Sequence, residues 1–261
     1  MSDDPFVIVM RDARGVVTLK LNRPGAFNAL SEGMLSALQG ELDAVAADPT
    51  ARVLVLAAAG KAFCAGHDLK QMRAEPSLAY YEALFAQCTR VMLSLQALSV
   101  PVIARVQGIA TAAGCQLIAT CDLAVAASTA KFAVSGVNLG LFCSTPSVAL
   151  ARNLPRKQAM EMLLTGEPVS AARARELGLV NRVVTAGTER DAAIALAQKV
   201  ALKSAYTIKL GKEAFYRQAE MSLADAYRYT AEVMTENMMA RDAEEGIGAF
   251  IEKREPKWQD K

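Results

Sequence analysis

Two short stretches of small residues mark where chemistry could begin. FCAGHDLKQM follows the apolar run RVLVLAAAG, and GIATAAGCQL follows PVIARV. Each passes from a strand-like run into a helix-like one, so each leaves backbone N–H groups free at a helix start. Two convergent N–H donors are the usual means of holding an oxyanion. Small residues here would also suit tight packing of helix on strand, and either turn taken singly is weakly specific. Reactive side chains nearby are few. His67 is the single histidine; its side chain would line a pocket or cap a helix while its backbone does the work. Cys64, Cys88, Cys115, Cys121 and Cys143 form no CxxC pair, so no His/Cys metal site at ligand spacing is expected. Ser144 and Cys143 become nucleophiles only beside a base, which makes a triad of Ser144, His67 and Asp68 the arrangement to look for, although no GxSxG elbow accompanies it. Between Pro76 and Met160 the only acids are Glu82, expected on a long helix, and Asp122, expected at the start of a strand.

The elements that must position these residues can be read from periodicity. FVIVM and GVVTLKLN form a hairpin around the polar DARG. Ser31 caps a helix whose Met34, Leu35, Leu38, Leu42 and Val45 share one face, with Asp48 and Pro49 closing it. RVLVLAAAG suits a strand covered on both faces. A helix from about Leu78 to Leu98, the strand PVIARVQG, the helix start TAAGCQLIAT and the strand DLAVAA follow. The alternation predicts an α/β fold of parallel βαβ units. After about residue 185 only helical patterns remain, in ERDAAIALAQKVALKS, around Lys209 to Ala219, in LADAYRYTAEVMTENMMA and in EEGIGAFIEK. Met234, Met238 and Met239 at helical spacing predict core or subunit-interface packing.

Composition sets bounds on function. The 261 residues are 52% apolar, and 29 basic against 27 acidic side chains give a net charge of +2. That balance offers no footprint for nucleic acid or an anionic membrane. Arg105 and Gln107 interrupt the best apolar run, so no membrane insertion is expected. The acidic start, MSDDPF, is unlike a signal peptide, and the odd cysteine count suits a reducing compartment. A cytoplasmic protein is expected, or a matrix one if it is a processed mitochondrial form.

Taken together, AFCAGHDL and GIATAAGCQL, with LNRPGAFNAL upstream and LLTGEPVSAARARELGLVNRVV downstream, resemble the enoyl-CoA hydratase/isomerase (crotonase) superfamily from about residue 6 to Lys257. GVNLGLFCSTPSVALARNLPRKQAMEMLLTGEP is similar to its domain-containing protein 3 subgroup. The resemblance implies a ClpP/crotonase spiral of ββα units over residues 1–185 and a helical trimerising region over 186–261, assembled as a homotrimer or a hexamer of two trimers. It implies that an acyl-CoA thioester enolate is held by the backbone N–H groups of His67 and Ala113. The family's two glutamates fall at Gln116 and Gly136, and an aspartate used by some members falls at Ser144, so all three positions lack an acid. Ala112 and Ala113 replace family glycines; this keeps the N–H but narrows the backbone angles, because alanine avoids positive φ. By the same resemblance Ala26, Ala65 and Lys70 belong to the coenzyme A site, Phe250 and Lys253 meet its adenine and phosphates, and Gly25 stands where relatives often carry lysine. Coenzyme A enters as part of the substrate, with no separate cofactor and no metal. Two functions follow: an enzyme of fatty-acid metabolism acting on acyl-CoA with little or no classical hydration, or an acyl-CoA-binding carrier, sensor or partner without catalysis.

Overall fold

The computed structural model describes residues 4–261. The hairpin forms as expected: β1 (Val7–Arg11) pairs antiparallel with β2 (Val16–Leu21). β2 then pairs in parallel with β3 (Val53–Ala58), every residue of which is buried. Between them runs α1 (Glu32–Ala46), started by Ser31 Oγ accepting the Met34 N–H at 3.2 Å, with Met34, Leu35, Leu38, Leu42 and Val45 buried on one face. β4 (Ala62–Cys64) is followed by α2 (Leu69–Ala74) and α3 (Leu78–Ala97), which packs on α1. β5 (Val102–Val106), β6 (Ile109–Thr111), α4 (Ala113–Thr120), β7 (Leu123–Ala127) and β8 (Lys131–Ala133) come next. After α5 (Ser144–Asn153), α6 (Arg156–Thr165), β9 (Val169–Ser170), α7 (Ala171–Leu177) and β10 (Arg182–Val184), the described chain is helical. Those helices are α8 (Glu189–Ala201), α9 (Ala205–Gln218), α10 (Leu223–Met238) and α11 (Arg241–Glu252).

The strands form two sheets. The larger has the order β1-β2-β3-β5-β7-β10 and is parallel apart from the opening hairpin; the smaller is β4-β6-β8-β9. Periodicity reveals five strands of the larger sheet only, because the three-residue strands AFC, IAT, KFA and RVV are too short to show an alternation. In three successive turns of the chain, β3 to β4, β5 to β6 and β7 to β8, a long strand joins the first sheet and the short strand after it joins the second. This ββα winding stacks β4, β6 and β8 beside one another and so brings the segments that follow them together.

Most buried side chains lie between the large sheet, the small sheet, α1, α3 and α4. The other face of the large sheet, with Val16, Val53, Val55, Ile103 and Val125, is closed by Ala193, Leu196 and Ala197 of α8. The boundary at residue 185 falls between β10 and α8, yet α8 itself packs on the sheet, and α9 and α10 form a separate pair beyond it. One polar network fastens α9 to the core. Lys212 Nζ lies 2.8 Å from Asp122 Oδ2 and also donates to Leu95 O and Val100 O, while Tyr216 Oη donates to Asp122 Oδ1 at 2.7 Å. Asp122 also accepts the Val102 N–H at 2.6 Å, so every oxygen of this carboxylate is engaged. No described helix is long and apolar enough to cross a membrane.

Candidate functional site

The two small-residue turns lie against each other. Gly66 takes φ +89°, and a Cβ there would come within 3.0 Å of Ala112 Cβ and 3.1 Å of Thr111 O. A Cβ on Gly114 would sit 2.2 Å from Cys64 O, so α4 can approach β4 this closely only with glycine at that position. Hydrogen bonds fasten the rim: Thr111 Oγ1 donates to Ala65 O at 2.9 Å, the Ala65 N–H to Phe27 O at 3.0 Å, and the Leu30 N–H to Gly66 O at 2.8 Å. Ala112 has φ +48° and ψ −120°, a conformation that favours glycine, and it is held there by its N–H to Ala133 O at 2.9 Å and its carbonyl to the Gln116 N–H at 3.0 Å. The N–H groups of His67, just before α2, and of Ala113, first residue of α4, meet no acceptor among the described residues. The structure therefore brings together two turns that the sequence places 46 positions apart, the separation of the Thr111 to Ala65 bond.

The side chains divide differently. Asp68 Oδ1 accepts the N–H groups of Lys70 and Gln71 as the N-cap of α2, and the His67 ring turns instead to Leu30 O, 3.3 Å from Nδ1. Ser144 Oγ is exposed and bonds Phe142 O. The triad of Ser144, His67 and Asp68 is thus not formed, because capping and backbone contacts claim each member. Burial draws the His67 pKa below its ordinary value, against the pull of the Leu30 bond. The ring stands edge-on to Phe85 of α3 at 5.5 Å, so α3 supplies one wall. Burial pushes the Cys64 and Cys115 thiols up to about 12 and raises Cys143 as well, which makes them packing groups and not nucleophiles.

Gln116, one turn into α4, is buried and its Oε1 has no partner. Gly136 lies in a 3-10 turn over Ser135–Leu139 without a positive φ, and a Cβ there would meet Leu141 O at 2.6 Å and Cys143 Sγ at 2.7 Å. Space, and not backbone angle, is what excludes a side chain at this position. Glu82 is exposed on α3, and Asp122 belongs to the α9 network. Ala26, Ala65 and Lys70 are all exposed along the rim. Phe250 and Lys253 are exposed at the end of α11, Phe250 at 84%, and Lys253 takes φ +56° as its C-cap. The methionines are not core: Met234, Met238 and Met239 are exposed on the protomer surface.

Two further residues escape sequence reading. Asn28, fully buried at φ +54°, accepts the Arg23 N–H and donates to Ala59 O and Ala62 O, tying LNRPGAFNAL to β3 and β4. Tyr80, at the start of α3, has a buried hydroxyl without a partner. An asparagine between two apolar residues was the available signal for the first; nothing in the local pattern marks the second. Two surface clefts of about 450 and 580 Å³ lie elsewhere, on α9 and α10 and beside Trp258.

The spiral of ββα units is the crotonase fold, and residues 11–261 match the enoyl-CoA hydratase/isomerase family: the chain belongs to that family. Within it, the chain falls in the domain-containing protein 3 subgroup. It is 47% identical over 250 residues to enoyl-CoA hydratase domain-containing protein 3, mitochondrial, of Xenopus laevis, covering 96% of this chain and 85% of that protein. The crystal structure of the human domain-containing protein 3 superposes with a TM-score of 0.93 at 43% identity, covering 97% of this chain and 100% of that one. An enoyl-CoA hydratase structure from Mycobacterium smegmatis gives a TM-score of 0.96 at 59% identity over 98% and 99% of the two chains.

Proposed function

We propose that the chain acts on an acyl-CoA thioester whose carbonyl oxygen sits between the N–H groups of His67 and Ala113. The observation that carries this reading is that the two turns bearing these unpartnered N–H groups pack on each other at Gly66 and Ala112. As negative charge develops on that oxygen, both donors strengthen without having to reorganise. Ala26, Ala65 and Lys70 lie along the coenzyme A path, and Phe250 and Lys253 meet its adenine and phosphates from the same or a neighbouring subunit of a homotrimer or hexamer. Coenzyme A arrives with the substrate, and neither a separate cofactor nor a metal is needed. The compartment is the cytoplasm, or the mitochondrial matrix if the chain is a processed eukaryotic form.

Classical hydration is not the favoured reaction. Activating water and handling the α-proton take two positioned acid or base groups. Gln116 cannot take a proton at neutral pH, Gly136 has no room for a side chain, and Ser144 faces solvent. The missing acids also support a second reading, a non-catalytic acyl-CoA carrier, sensor or partner. Calorimetric titration with butyryl-CoA, run beside a hydration assay on crotonyl-CoA, tests both. Micromolar binding with poor hydration fits the proposal; turnover comparable to ordinary hydratases refutes the assignment of lost chemistry, and absence of binding refutes the site.

A further inference from the structure

The one imidazole in the chain sits on the residue that offers an oxyanion donor, and one of its nitrogens is unused. His67 Nδ1 faces Leu30 O at 3.3 Å. A carbonyl oxygen only accepts, so Nδ1 carries the proton and Nε2 keeps its lone pair. Nε2 is buried and meets no donor among the described residues. Leu30 and Phe85 hold the ring on two sides, through the Nδ1 contact and the edge-on packing at 5.5 Å. Gln39, Tyr80, Arg105, Gln107 and Gln116 also leave a buried polar atom open, but among these groups only the imidazole can take a proton near neutral pH.

Other groups that could take a proton are committed elsewhere. Asp68 caps α2, Glu32 accepts from Gln71 Nε2 at 2.7 Å, and Asp122 is held by Lys212 and Tyr216. Glu82 is exposed on α3, and the thiols of Cys64, Cys115 and Cys143 are kept protonated by burial. Resting on the thioester reading given above, we propose that His67 Nε2 accepts a proton from the α-carbon of the bound acyl group. In this step the Nε2 lone pair forms the new N–H bond and the α-C–H bond breaks. Its electron pair becomes the C=C bond of the enolate, and the carbonyl π pair moves onto oxygen, between the N–H groups of His67 and Ala113. Return of the proton from Nε2 to carbon closes the cycle with no net oxidation or reduction. Because burial lowers its pKa, the ring is neutral, and so able to accept, at neutral pH. One base that removes and returns a proton supports a proton shift within the acyl chain; water addition would need a second group.

The test is deuterium uptake at the α-carbon of butyryl-CoA in heavy water, read by mass spectrometry, with calorimetry on the same samples. Butyryl-CoA is saturated, so hydration cannot interfere. Wild type is expected to bind and to exchange. His67→Gln keeps the backbone N–H and should bind as before while exchange falls about 100-fold or more. His67→Ala, supplied with free imidazole, should regain exchange, which a merely structural ring would not allow. Binding by wild type without exchange, exchange undiminished in His67→Gln, or loss in a folded His67→Ala without recovery by imidazole overturns the proposal. A wild type that binds no thioester refutes the site reading itself, an outcome that calorimetry reports separately from exchange.

Discussion

Ala112 holds φ +48° and ψ −120°, where an L-residue pays a steric penalty of about 1–3 kcal/mol. Ala112→Gly should therefore stabilise the protein by about 1 kcal/mol, with glycine's larger unfolded-state freedom offsetting part of the relief, as urea denaturation would show. If stability falls instead, the alanine methyl contributes more packing than strain. The positions of the missing acids separate in the same way. Gln116→Glu replaces a buried amide with a group of the same shape and should raise crotonyl-CoA hydration about 100-fold, the low end for one positioned acid or base. Burial will hold the introduced carboxyl above its usual pKa, so the gain should grow with pH as it ionises. Gly136→Glu should yield no such gain, since even a methyl at that position meets Leu141 O at 2.6 Å, and overpacking of this kind costs about 1–3 kcal/mol. A stable, active Gly136→Glu protein would show that the 3-10 turn over Ser135–Leu139 can open.

Among the elements, α9 depends on a buried ion pair: the Lys212 and Asp122 side chains are 7% and 16% exposed. Lys212→Met should destabilise by about 3–5 kcal/mol in thermal or urea unfolding, because Asp122 is left as an uncompensated charge. A loss under 1 kcal/mol would mean that water replaces the ammonium group. Burial lowers the Lys212 pKa and Asp122 raises it, and burial is the larger effect. Since its folded pKa lies below its unfolded one, the lysine's ionisation contributes instability at lower pH that is relieved as pH rises through the folded pKa and beyond. The elements differ in how plainly the sequence announces them. α1, β3 and the opening hairpin were legible because their apolar periods are long and their caps local. The second sheet was not, because three-residue strands carry no period and its register comes from contacts between distant turns. Of the site, the two small-residue turns were legible in the sequence, and the family resemblance assigned the proposed donors to His67 and Ala113. The placement of His67 against Leu30 O and Phe85, and of Asn28 against Ala59 O and Ala62 O, was not, since each is set by chain segments far apart in sequence.

For the whole molecule, the last two helices leave several large apolar side chains exposed. Tyr227, Met234, Met238 and Met239 of α10 and its C-cap, with Ile247, Phe250 and Ile251 of α11, are exposed on one protomer. We propose that symmetric association covers these side chains. Light scattering at micromolar concentration should report a trimer or hexamer, and a monomeric mass would remove the basis for coenzyme A contacts made across subunits. Lys253→Glu should weaken coenzyme A binding about tenfold with folding intact, because an exposed cation on a phosphate contributes affinity and not core. The proposed donors themselves have a different history in prospect. They are main-chain atoms of His67 and Ala113, fixed by a winding that sets β4 beside β6. Any replacement at these two codons other than proline leaves an N–H in place. Genetic drift can strip such a lineage of its acids without abolishing its hold on the ligand, so a descendant that has lost one reaction persists as a receptor on which selection can assemble the next.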